Sequence, residues 1–243
     1  MVDNPSGSSN TDEDEPQYHF QGSLKALRDC LYNTLDTVEA RYGQPSYVYG
    51  LPTGFLDLDD RCGGLQHSNL IVVGSRPGVG KTSFALGVAE HVAVETREPV
   101  LLVTPAMSAA TTSMRLVASS GRIDNQRLQA GKLLEPDWSK ISRAIGHLAE
   151  APIFIDDTPL ATMTTVFDSA RQVREQCGSI GLVVVDYVQL LEPDRPRDTR
   201  AAELAAVTRR LKALAGEMNA AVMCLSQVSR NVEMRVDKHP PAR

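Results

Sequence analysis

Short uncharged apolar runs alternate along the chain with longer stretches in which apolar residues recur every three or four positions. The runs are Leu70 to Val73, Val100 to Val103, Ile153 to Ile155, Leu182 to Val185 and Ala221 to Leu225. Each is of strand length and lacks polar alternation, so each is expected to be covered on both faces. Between them the clearest helical spacings are Trp138, Ile141, Ile145, Leu148, then Met163, Val166, Phe167, Ala170, Val173, then Leu204, Val207, Leu211, Leu214. Such alternation predicts an α/β fold with a doubly wound, mainly parallel sheet. Loops at the carboxyl ends of its strands form the ligand site. The residues following Val73, Val103, Val185 and Leu225 are therefore expected to share one crevice.

The pattern differs ahead of the first run. Residues 1–17 combine Ser, Asn, Gly and Pro with the acidic run Asp12 to Glu15, and are expected to form a disordered acidic tail. From Ser23 to Tyr42, Leu24, Leu27, Leu31, Leu35, Val38 and Tyr42 recur at helical steps, which predicts an amphipathic helix within residues 18–49. Its narrow apolar stripe needs a groove, either on its own domain or on a neighbouring subunit. The segment "GLPTGFLDLDDRCGGL" places two glycine-containing turns around Phe55, Leu56 and Leu58, and reads as the boundary of a core spanning 50–243.

Composition adds mainly exclusions. The 243 residues suffice for one α/β domain with an appendage, and 42% hydrophobic with 23% charged residues is ordinary for a water-soluble domain. Hydroxyl residues and prolines interrupt the longest uncharged run, Pro99 to Met114, so no membrane helix is expected. With a polar, acidic start in place of an export signal, the expected location is the cytoplasm. Cys30, Cys62, Cys177 and Cys224 are too scattered for a metal or disulfide framework, and are expected to fill core. A net charge of -5 argues against a generally basic nucleic-acid coat, but leaves room for a local basic strip.

Chemistry enters after the first strand. In "SRPGVGKTSFAL", residues Ser75, Arg76, Pro77, Gly78, Val79, Gly80, Lys81, Thr82 and Ser83 match a phosphate-binding P-loop, except that Ser75 stands at the first glycine position and Gly74 lies one place early. Gly78 and Gly80 let backbone amides approach phosphate oxygens, the following helix contributes its positive end, and Lys81 reaches the outer phosphates. ATP is the expected ligand. Thr82 would hold its magnesium ion, Mg2+, and Asp186, after four apolar residues in "LVVVDYVQL", stands where an acid holds that metal through water.

Together with "GLPTGFLDLD", "RLQAGKL", "IFIDDTP", "LVVVDYVQLL" and "LSQVSR", these residues resemble, in order and over roughly 50 to 238, the carboxy-terminal RecA-like motor domain of DnaB-type replicative DNA helicases. The resemblance implies a RecA-like P-loop core and ATP-dependent DNA unwinding in replication. It makes Asp186 the Walker B acid and Gln227 a sensor of nucleotide state. The Ser23 to Tyr42 helix resembles a linker helix that docks on an adjacent ring subunit, implying a homo-oligomeric ring or association with a full-length helicase. Arg195, Arg197 and Arg200, in "EPDRPRDTR", lie close to where family members contact single-stranded DNA. Asp194 and Asp198 in the same loop leave open a simply solvated reading.

Three departures bear on activity. In "TPAMS", Ala106 stands at the family's catalytic glutamate position, and no Asp or Glu lies from Pro99 through Ile123. "RVDKHPPAR" reaches Arg243 where the resemblance implies further strands carrying a trans-acting lysine and arginine, so those strands and the family's amino-terminal helical domain are expected to be missing. The expectation is a helicase-family ATPase impaired in hydrolysis. The alternative is a non-hydrolysing nucleotide-binding interaction protein, or a decayed helicase fragment, that associates with a helicase ring. A small-molecule kinase would leave "LSQVSR" and "GLPTGFLDLD" without purpose.

Overall fold

Five strands follow the five apolar runs: β1 (Leu70–Ser75), β2 (Val100–Val103), β3 (Ile153–Asp156), β4 (Leu182–Val185) and β5 (Ala221–Gln227). All pair in parallel, in the spatial order β1-β5-β4-β2-β3. The computed structural model describes residues 24–43, 48–193 and 199–228. They fall into two compact units, Met1–Pro45 and Ser46–Arg243. The stretch read as an acidic tail, and Arg195 and Arg197, lie outside the described residues.

Because side chains alternate across a strand, neighbouring residues enter opposite cores. Leu101, Val103, Val183, Val185, Val222 and Cys224 pack with α7 (Met163–Cys177) and α8 (Arg200–Met218), through Val166, Phe167, Ala170, Leu211 and Leu214. Val100, Leu102, Leu182, Val184, Met223 and Leu225 pack with α3 (Lys81–His91), through Ala85, Leu86, Val88 and Ala89. The sheet is thus covered on both faces, as a doubly wound arrangement requires. Fully burying each such aliphatic side chain contributes roughly 1.5–3 kcal/mol.

In the first unit the helix is α1, Leu27–Arg41, shorter than the stripe suggested. Leu24, Leu27, Leu31, Leu35, Val38 and Tyr42 are all exposed. At the start of the second unit, the segment read as a boundary is built into the domain. Leu51 and Leu65 are buried and form an antiparallel bridge around α2 (Leu56–Cys62), and both carboxylate oxygens of buried Asp59 accept from the Thr53 N–H. Gly50 is required there, since a Cβ would come within 2.5 Å of the Leu65 carbonyl.

One reading is corrected. The four cysteines do not all fill core: Cys224 is buried in β5, Cys30 is intermediate, and Cys62 and Cys177 are exposed, each being the last residue of its helix. The helix α6 (Glu135–Ala149) is rotated relative to its apolar stripe, for Asp137 and Ala144 are buried while Trp138 and Ile145 are exposed. Asp137 is drawn inward because its carboxylate accepts from the Leu134 N–H and pairs with Arg127 and Lys140. Those bonds hold its carboxyl below the ordinary range against the opposing effect of burial. Arg127 belongs to a short helix, α5 (Asn125–Gln129). Before it runs α4 (Ala109–Ser120), capped by Ser108, whose hydroxyl accepts from the Thr111 N–H. Among the described residues no helix is long and apolar enough to cross a membrane.

Candidate functional site

β1 delivers the P-loop directly into α3. Ser75 closes the strand, Arg76, Pro77, Gly78, Val79 and Gly80 form an exposed loop, and Lys81, Thr82 and Ser83 open the helix. Gly78 (φ 79°) and Gly80 (φ 102°) adopt left-handed conformations that strain any other residue, and nothing lies within 4 Å of where a Cβ would project at either. The loop is thus an open concave run of backbone at a helix N-terminus, the arrangement that receives phosphate oxygens.

Asp186 comes to this loop from the far side of β5. It follows β4, is only 5% exposed, and its Oδ2 accepts from Thr82 Oγ1 at 2.6 Å. Lys81 Nζ stands 4.0 Å from Asp186 Oδ1 and 5.1 Å from the centre of the Tyr187 ring. Asp186 Oδ1 is itself buried without a hydrogen-bond partner. Buried carboxylate oxygens are rarely left so. An unfilled oxygen beside a threonine hydroxyl, at the mouth of a phosphate-type loop, fits a hard cation with oxygen ligands. Thr82 and Asp186 would hold that ion, with phosphates and water completing its shell.

Gln227 ends β5 as the register partner of Ser75, exposed beside the loop. Its contact was not visible in the sequence. Gln189 Oε1 accepts from the Gln227 N–H at 3.2 Å, while Gln189 Nε2 donates to the Gln227 carbonyl at 3.2 Å and to Ser226 Oγ at 2.9 Å. The one available signal was a glutamine within the otherwise apolar "VQLL", since a polar group there needs partners. Arg200, first in α8, donates through Nη2 to the Gln189 carbonyl at 2.5 Å and through Nη1 to Glu203 at 2.8 Å.

Ala106 lies exposed on the turn after β2, which is closed by the Met107 N–H donating to the Thr104 carbonyl and by Thr104 Oγ1 donating to the Met107 carbonyl, both at 3.0 Å. The turn is fastened to the end of β3. Thr104 N–H donates to the Asp156 carbonyl at 2.8 Å, and Asp157 Oδ2 accepts from the Ala109 N–H at 2.7 Å. Asp156 Oδ2 accepts from Ser169 Oγ at 2.5 Å and Oδ1 from the Thr158 N–H at 3.0 Å. Burial pushes the Asp156 carboxyl up, and the bonds from Ser169 and Thr158 together outweigh it, so it is held below its ordinary value.

Comparison with known proteins gives a consistent result. The DnaB-like helicase C terminal domain profile matches residues 50–242. A "Replicative DNA helicase DnaB" of Geobacillus stearothermophilus is 40% identical over 225 residues, covering 92% of this chain and 49% of that protein. A "Replicative DNA helicase DnaC" of Bacillus subtilis is 39% identical over 219 residues, covering 90% of this chain and 48% of its own length. Among solved structures, a DnaB-like replicative helicase described with its primase interactions superposes with a TM-score of 0.80 at 31% identity, over 89% of this chain and 52% of that one. The chain therefore spans about half the length of these curated relatives. Its parallel sheet is that of their RecA-like ATPase domains.

Proposed function

Since the chain belongs to the family of DnaB-like helicase C-terminal domains, we propose that it is the ATP-binding motor domain of a DnaB-type replicative helicase, impaired in its own hydrolysis. The P-loop amides of residues 75–83 and Lys81 bind the phosphates of ATP, and Thr82 and Asp186 hold Mg2+. Bound there, the ion neutralises phosphate charge. Gln227 senses nucleotide state, and Arg195, Arg197 and Arg200 contact single-stranded DNA. The exposed stripe of α1 docks on a neighbouring protomer of a homo-oligomeric ring, or on a full-length helicase. The observation that carries the nucleotide reading is the 2.6 Å bond between Thr82 and Asp186, residues 104 positions apart.

Impairment follows from Ala106, whose methyl group accepts no proton from an attacking water. The same residue favours the second reading, a nucleotide-binding interaction protein that associates with a helicase ring without turnover. Titration with a fluorescent ATP analogue tests the shared premise. Lys81→Ala is expected to weaken binding roughly 10- to 100-fold, the loss of a charge-assisted contact, and equal binding by wild type and variant removes the proposal. Steady-state phosphate release then separates the readings. Wild type is expected near background, and Ala106→Glu to raise turnover above it. DNA-stimulated turnover by the unmodified chain alone would contradict the impairment.

A further inference from the structure

β4 ends at Val185, paired with Cys224, whereas β5 continues to Gln227, paired on its other side with Ser75. The chain leaves the sheet at Asp186, so the last turnings of β5 lose the neighbour that β4 had provided. One side chain takes its place. Gln189 binds both the N–H and the carbonyl of Gln227, and its second amide hydrogen goes to Ser226 Oγ. A carboxamide carries the donor and acceptor of a peptide group, so Gln189 acts as a one-rung continuation of β4 with its donors and acceptor all engaged. Its own main-chain carbonyl accepts from Arg200 at the start of α8.

The clasp joins three groups of separate origin. Upstream by three residues is Asp186, bonded to Thr82 of the P-loop. Across the gap is Gln227, beside Ser75. Downstream is Arg200, at the N-terminus of a 19-residue helix. A shift of either the Asp186 segment or the Gln227 main chain must break these bonds or carry Arg200 with it.

We propose that Gln189 is a positioning residue that couples occupation of the nucleotide site to the first turn of α8. The inference rests on the nucleotide-binding reading above. The contacts to Gln227 are solvent-exposed, so their worth to folding is small and their role is transmission.

Hydrogen exchange on the full chain, with and without a non-hydrolysable ATP analogue and magnesium, provides the test. In wild type the analogue is expected to change exchange both at Leu225–Val228 and at Thr199–Leu204. In Gln189→Ala, analogue affinity stays within about twofold of wild type, as expected of a site that the side chain does not touch. The response at Leu225–Val228 persists and that at Thr199–Leu204 is lost. Arg200→Ala, which cuts the second link and leaves the clasp intact, is expected to lose the same distal response, and serves should Gln189→Ala fail to fold. A distal response that survives in the folded variants reduces Gln189 to a structural amide and overturns the proposal. If wild type and Lys81→Ala bind the analogue equally, the nucleotide reading itself has failed and takes this inference with it.

Discussion

Thr82 and Asp186 show how much one hydroxyl carries. The Thr82 hydroxyl donates to one oxygen of a carboxylate that is 5% exposed, and among the described residues the other oxygen has no hydrogen-bond partner. Thr82→Ala would leave a buried charge facing Lys81 at 4.0 Å with no hydrogen bond to either oxygen. Hydrogen bonds to charged groups contribute about 1.5–3 kcal/mol, so this variant is expected to lose about 2 kcal/mol in urea unfolding without nucleotide. The same change removes a proposed metal contact, so it is expected to weaken magnesium-dependent analogue binding as well. This pairing was legible in the sequence because both residues lie in short motifs with fixed spacing. Gln189 was not, because its partners Ser226 and Gln227 are 37 and 38 positions away, and no local pattern marks them.

Elements were readable where burial alone decides them. β2 and β4 are four consecutive aliphatic residues each, and α7 buries every member of its predicted stripe. α6 forms where its spacing predicts, but it turns Asp137 inward, where Arg127, Lys140 and the Leu134 N–H stabilise it. α4 is not marked by apolar spacing because Thr111, Thr112, Ser113, Ser119 and Ser120 obscure its apolar face, although its Ser108 cap is a usable signal. The tie between α7 and β3 makes its own prediction. Ser169 donates to Asp156, whose folded-state pKa is lowered from 3.8. A depressed carboxylate contributes stability above its unfolded pKa and loses it as pH falls through the folded value. Ser169→Ala is therefore expected to cost about 1 kcal/mol at neutral pH, since Asp156 is only half-buried. Below pH 3.8 the difference from wild type should close, as read by chemical unfolding across pH.

At the scale of the whole molecule, Cys224 reports on the integrity of the sheet. It lies in β5, between β1 and β4, and burial pushes its thiol up to about 11. Being 2% exposed as well as protonated, it is expected to resist alkylation at pH 8 while exposed Cys62 and Cys177 react. Mass spectrometry of the labelled chain should show Cys224 modified only at the rate of global opening, and reaction as fast as that of Cys62 would show that the sheet opens locally.

The strand order also has a consequence in time. Among the described residues β1 has one strand neighbour, β5, and Leu70 meets Val222 only after about 150 further residues have been made. At roughly 5–20 residues per second of synthesis, a nascent chain would carry its exposed glycine loop for on the order of 10–30 s before the partner strand left the ribosome. During that interval the loop proposed to grasp phosphate lacks the described strand that pairs with β1. The latest of the five described strands to be translated is thus the one that fixes the strand leading into the first motif.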